Sequence, residues 1–174
     1  GRSQVLAHQD SKWKVFEAPP GLEKERVDAL AEDGAGRLWV RTPRSLWVLD
    51  PGASRFRRAN VPISLISDRG FLIAGRHGDI WLPTQKGLAH LEGDTWSLLG
   101  TQEGLPTSWC RTAMEDREGS LWIGSVGVFR LLGRGVWRVY TQADGLPSGV
   151  VWNIFRDRDR QLWVGTDNGL AKAT

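Results

Sequence analysis

A charged turn followed by an apolar–Trp–apolar run recurs four times along the chain. It reads EDGAGRLWVRT from Glu32 to Thr42, AGRHGDIWLPT from Ala74 to Thr84, EDREGSLWIGS from Glu115 to Ser125, and RDRDRQLWVGT from Arg156 to Thr166. The four motif tryptophans, Trp39, Trp81, Trp122 and Trp163, stand 41 or 42 residues apart. A second aromatic landmark at Trp13, Phe56, Trp96 and Trp137 keeps nearly the same spacing. Self-similarity at this period marks a repeat array of the propeller or solenoid kind. Within each period the apolar runs are short, rich in β-branched and aromatic residues, and bounded by Gly, Asp and Ser, which is strand patterning. A run such as CRTAME or VVWNIF precedes the Trp motif. GLAHL, GVFRLL or SLWVLD follows it, and then TWSLLG, VWRVY or SRFRRA. Four short strands joined by hairpin turns predict an all-β propeller segment of about four four-stranded blades.

One stretch reads as helix by local propensity. GLEKERVDALAEDG, from Gly21 to Gly34, is rich in helix formers and ends on Gly. PGLEKERVDALAED aligns without a gap on EGLPTSWCRTAMED, Glu103 to Asp116, whose Pro, Thr and Trp do not suit a helix. Register with the sister copy predicts loop plus strand. The units then run 1–19 (partial blade), 20–60, 61–101, 102–142 and 143–174 (partial blade). QVLAHQDSKW (Gln4 to Trp13) aligns with GLAHLEGDTW (Gly87 to Trp96), so the chain opens on the last two strands of a unit. It closes on the second and third strands of another. The simplest expectation is a segment of a longer array. The alternatives are a self-closed four-blade ring and two chains pairing into a larger one. Unpaired strand edges favour self-association through the end strands, most simply as a dimer.

Composition changes this picture little. The 174 residues suffice for one domain with a core. The net charge of +3 is spread along the chain, which argues against nucleic acid or an anionic membrane as partner. No apolar run is long enough to insert in a bilayer, and GRSQVLAHQD lacks a signal-peptide layout. A single cysteine, Cys110, allows no internal disulfide and no cysteine-based zinc set. The acidic turns (Asp116 with Glu118, Asp157 with Asp159) mix two carboxylates with Arg, too few oxygens for a calcium loop. No metal or cofactor is expected.

The last units carry a family likeness. DGLPSGVVWNIFRDRDRQLWVGTDNGLAKA, Asp144 to Ala173, resembles the two-component regulator propeller repeat through Gly145-Leu146-Pro147, Asp157, Leu162-Trp163-Val164-Gly165-Thr166 and Gly169-Leu170. The preceding unit keeps Gly104-Leu105-Pro106, Asp116, Gly119, Leu121-Trp122-Ile123-Gly124 and Gly127. It departs at Ser125. The two earlier units depart further, with Pro83 or Arg41 where the repeat has Gly. The resemblance implies a non-enzymatic, periplasmic sensor β-propeller of bacterial membrane proteins, with a histidine kinase or diguanylate cyclase output inside the cell. A looser likeness is to propeller lyases of cyclic depsipeptides, which need a catalytic His and a metal on the funnel face. The histidines here, His8, His77 and His90, occupy a third strand, a turn on the opposite face, and a third strand respectively, and suggest no catalytic set.

Candidate binding residues come from the first strand of each unit. One parity, Val27, Ala29, Ala31 and its counterparts, is small and apolar. The other collects Arg26 and Asp28 with Trp109, Arg111 and Trp152 at its beginning. Trp109 and Trp152 are not repeat-determined, so blade packing does not demand them. An aromatic platform beside bidentate donors suits a saccharide or carboxylate ligand. Trp109, Trp152, Arg26 and Arg111, with Arg41 and Lys86 from neighbouring loops, form the expected ligand-facing set. The competing expectation is that these side chains plug the funnel by pairing with each other, the chain then acting as a protein-interaction or dimerisation scaffold.

Overall fold

The computed structural model describes residues 5–9, 12–16, 19–65, 71–132 and 136–173. The side chains of His8 and Trp13 lie outside the described residues. The chain forms an all-β propeller of consecutive antiparallel sheets. A hairpin of β1 (Val5–Gln9) and β2 (Lys12–Phe16) comes first. The first full blade holds β3 (Ala29–Glu32), β4 (Leu38–Arg41), β5 (Leu46–Leu49) and β6 (Arg57–Arg58). The second holds β7 (Ile73–Ala74), β8 (Ile80–Thr84), β9 (Gly87–Glu92) and β10 (Thr95–Leu99). The third holds β11 (Thr112–Glu115), β12 (Leu121–Ser125), β13 (Gly127–Leu131) and β14 (Trp137–Tyr140). The last sheet has three strands, β15 (Val151–Arg156), β16 (Leu162–Thr166) and β17 (Gly169–Lys172). Helical structure among the described residues is confined to two 3-10 turns, Leu22–Lys24 and Gln142–Asp144. The segment with helix-forming composition is therefore loop, one 3-10 turn and β3. No described helix is long and apolar enough to cross a membrane.

The motif that defines the period is held by one recurrent device. Asp116 Oδ2 accepts the Trp122 indole N–H at 2.7 Å, while its Oδ1 accepts the amides of Glu118 and Ser120. Asp33 holds Trp39 at 2.8 Å and Asp157 holds Trp163 at 2.7 Å in the same way. A carboxylate six residues before the Trp thus closes the hairpin turn and fixes the indole together. Each of these three rings also carries a cation on its face: Arg37 over Trp39, Arg130 over Trp122, and Lys172 over Trp163.

The second blade lacks the anchoring acid and solves the problem differently. Gly75 stands where the acid should be, and Asp79 turns its carboxylate into that space. A Cβ on Gly75 would lie 2.1 Å from Asp79 Oδ1. Asp79 Oδ2 pairs with His90 Nε2 at 2.6 Å, and the imidazole stacks on Trp81 with centroids 3.8 Å apart. Trp81 Nε1 is left buried without a partner.

Blades pack flank to flank. Leu22 and Leu105, the leucines of the Gly-Leu loops, are buried, and Leu146 packs against the last interface. Between the third and last sheets, Trp122 and Val128 meet Val151, Ile154, Leu162 and Val164. Gly124 permits this approach, since a Cβ there would stand 2.6 Å from Val151. Alternate residues of an inner strand point to opposite flanks. Ala113 packs toward the second blade with Leu88, and Met114 toward the last sheet. The two parities therefore separate neighbours rather than inside from outside.

Candidate functional site

At the beginning of the inner strands, backbone bonds tie each strand to the turn ending the second strand of its own blade or the one before. Asp28 N donates to Arg41 O, Arg111 N to Gly124 O, Cys110 N to Thr84 O, and Asp167 N to Val150 O. This lacing sets the residues around 26, 109 and 152 on one rim with the turns that carry Arg41 and Lys86. Ser125 Oγ donates to Trp109 O, and the Trp109 amide donates to Thr107 Oγ1 at 3.3 Å.

The expected residues divide into two groups. Trp109, Arg111 and Trp152 come together across the boundary between the third and last sheets. The Arg111 guanidinium lies 4.0 Å from the Trp109 ring centroid and 4.3 Å from that of Trp152. Trp109 is 42% exposed, and Trp152 is half-buried with its indole N–H donated to Asp167. Arg26 and Arg41 gather elsewhere, around Asp28 in the first blade. Arg26 ion-pairs with Asp28 at 2.5 Å. Arg41 is fully buried and donates through Nη2 to Leu65 O at 3.4 Å, while its Nε and Nη1 have no partner. Burial pushes its pKa down to about 10, against the pull of the Asp28 charge. Lys86 is exposed on the β8–β9 turn.

Sequence reasoning missed two features. The first is a half-open concavity of about 530 Å³ among the inner strands β7, β11 and β15, at the end away from Trp109. Ile73, Thr112, Met114, Asn153, Phe155 and Arg156 line it, and the volume is that of a small-ligand site. No motif marks it, because it arises from the spread between blades. The second is the indole anchor that the acidic turns supply beyond their turn-closing amide bonds. The recurring Asp33, Asp116 and Asp157 are committed to indole and amide N–H groups, and among the described residues no cluster of three metal-ligating side chains occurs. Their spacing to Trp was the readable signal. Burial pushes the Asp116 carboxyl up. The Trp122 and Ser120 N–H groups and the charges of Arg156 and Arg130 outweigh it and hold the group below the usual carboxylate value. Asp33 is lowered in the same way against its burial, by Trp39 and Arg37.

Comparison with known proteins gives two kinds of likeness. Residues 145–168 match the two component regulator propeller family. No curated protein matches the chain in sequence. Among solved structures, the chain is similar to an extracellular domain assigned to a hybrid two component system from B. thetaiotaomicron. The TM-score is 0.74 at 21% identity, over 94% of this chain and 24% of that one. A second such domain from the same organism gives 0.76 at 16%, over 97% and 24%. Virginiamycin B lyase from Staphylococcus aureus gives 0.71 at 14%, over 98% and 62%. At these identities the structures share the propeller fold. The chain spans about a quarter of the two extracellular domains.

Proposed function

Residues 145–168 carry a two component regulator propeller repeat, and from it we propose that the chain is a non-enzymatic part of the sensor propeller of a bacterial membrane-bound signalling protein, on the extracytoplasmic side. Its ligand is a small molecule, a saccharide or organic acid, received at the rim where Trp109, Arg111 and Trp152 stack. The observation that carries this reading is the stack itself. Two tryptophans outside the repeat pattern converge on one guanidinium, and Trp109 keeps much of its ring open to solvent. An exposed indole face offers the apolar platform a sugar or acid needs. Arg26, Arg41 and Lys86 do not join the stack: Arg26 and Lys86 shape its approach, and the fully buried Arg41 supports the turn behind it.

A lyase reading has less support. His77 lies on the β7–β8 turn, at the opposite end of the strands, and His90 is engaged by Asp79 and Trp81. A scaffold reading has one observation in its favour, the exposed apolar flank formed by Phe155 and Leu170. Tryptophan fluorescence titrated with a saccharide and organic-acid panel tests the ligand reading, comparing the unmodified chain with Trp109→Phe and Trp152→Phe. Saturable quenching that weakens in both variants is expected. A ligand bound with full affinity by both places the site elsewhere, and no binding across the panel removes the sensing role from this rim.

A further inference from the structure

Arg111 brings to the stack a charged side chain whose hydrogen-bonding capacity is unspent. A guanidinium has five N–H donors in its plane and none on its faces. Here both faces are taken by indoles. Its Nε is buried without a partner, and among the described residues no hydrogen bond or ion pair engages the side chain. Stacking thus fixes the orientation of the fork while leaving its edge unpaired. The Asp167 carboxylate forms no ion pair with it among the described residues and accepts the Trp152 indole N–H instead. Arg26, by contrast, has Asp28.

We infer that the ligand of this rim carries a carboxylate, held in the plane of the Arg111 guanidinium by its unpaired N–H edge, with the Trp109 face packing the rest of the molecule. This inference rests on the ligand reading above and adds the charge of the ligand to it. A planar carboxylate matches the guanidinium fork in two parallel N–H···O bonds, which gives direction as well as strength. The two indoles crowd the half-buried guanidinium, and reduced contact with water strengthens each bond relative to an exposed arginine.

The test is a calorimetric and fluorescence titration of the full chain with galacturonate, galactose and acetate, repeated on Arg111→Gln and Arg111→Lys. Melting temperatures serve as a check that each variant folds. Galacturonate is expected to bind at least about tenfold more tightly than galactose, the equivalent of one charge-assisted hydrogen bond. Arg111→Gln is expected to erase that difference. Arg111→Lys should retain only part of it, because an ammonium keeps the charge and loses the fork. Equal affinity for galacturonate and galactose overturns the inference and leaves the ligand reading intact. Acetate bound through Arg111 as tightly as galacturonate, with galactose weaker than both, upholds the carboxylate site and removes the saccharide. Binding of none of the three, or of galacturonate undiminished in a folded Arg111→Gln, overturns the carboxylate inference.

Discussion

At the scale of single residues, the anchoring acids have a measurable signature. Asp116 is buried, yet its carboxyl is held below its ordinary value by the Trp122 and Ser120 N–H groups with Arg156 and Arg130 nearby. A carboxyl depressed in the folded state is charged and partnered there, whereas the unfolded chain titrates it near about 3.9. Its stabilisation is therefore complete above that value and is lost as pH falls through it toward the folded one. Replacing Asp116→Asn should cost about 2 kcal/mol at neutral pH, the range for a hydrogen bond to a charged group. The gap to the unmodified chain should narrow as pH falls below the unfolded value toward the depressed folded one. Thermal melting between pH 3 and 7 measures both, and a pH-independent gap would show that Asp116 acts only by shape. A second residue departs from its sister copies. Arg160 adopts φ 64°, where the equivalent turns use Gly36, Gly78 and Gly119 with φ of 74°, 80° and 80°. An L-residue there is strained, so Arg160→Gly should stabilise the chain by about 0.5–1 kcal/mol in denaturant unfolding. The bond from Arg156 Nε to the Arg160 carbonyl survives this change because residue 160 contributes only its backbone oxygen.

Within one blade, the repeat was legible where packing forces it and illegible where neighbours compensate. The Trp motif and the Gly-Leu loops repeat because each must fill the wedge between flanks, as Trp39, Trp122, Leu22 and Leu105 do. The second blade keeps its strands although Gly75 replaces the anchoring acid, because Asp79, His90 and Trp81 form a substitute cluster. That arrangement adds to the periodic Trp81 two residues, Asp79 and His90, whose pairing no sister copy repeats. It also predicts coupling. Gly75→Asp alone should destabilise the chain, since its carboxylate would meet that of Asp79, which already fills the space. With Asp79→Ser added, the carboxylate could take the unpartnered Trp81 Nε1, as Asp116 takes Trp122 beside Ser120. A double-mutant cycle should therefore show a favourable coupling of about 1 kcal/mol or more, and additive effects would show that the substitute cluster is not a displaced anchor. The candidate rim was legible only in part. The stack of Trp109, Arg111 and Trp152 forms across a blade boundary, so sequence could nominate its members but not separate them from Arg26 and Arg41, which turn to Asp28.

For the whole molecule, the two outer flanks of the sheet series decide how it behaves in solution. Each internal flank carries a motif Trp against the next blade's Leu, Ile and Val, as Trp122 does against Leu162, Ile154 and Val164. The same positions one period on are Phe155, Trp163, Gly165 and Leu170, which with Asn153 line an apolar hollow on the last sheet. Phe155 is 59% exposed and Leu170 63%, so this flank is built for a neighbour. Glycine gives an internal control. A Cβ on Gly124 would lie 2.6 Å from Val151, whereas one on Gly165 finds nothing closer than 3.8 Å. Gly124→Ala should therefore cost about 1–3 kcal/mol by overpacking, and Gly165→Ala should be close to neutral in the monomer. At the other end, Leu30 on the inner strand of the first blade is 52% exposed, while Phe16 of the preceding hairpin packs against that blade's outer part. The two flanks are different surfaces, so copies meeting through them join head to tail. The expected result is concentration-dependent self-association in sedimentation velocity, abolished by Phe155→Ser with Leu170→Ser without loss of β-structure by circular dichroism. In the associated state Gly165→Ala should become costly as Gly124→Ala is, because its open space is then filled. A monomer at high micromolar concentration, unchanged by the double substitution, would show that the flank is closed within one chain and that the exposed leucine and phenylalanine serve no contact between copies.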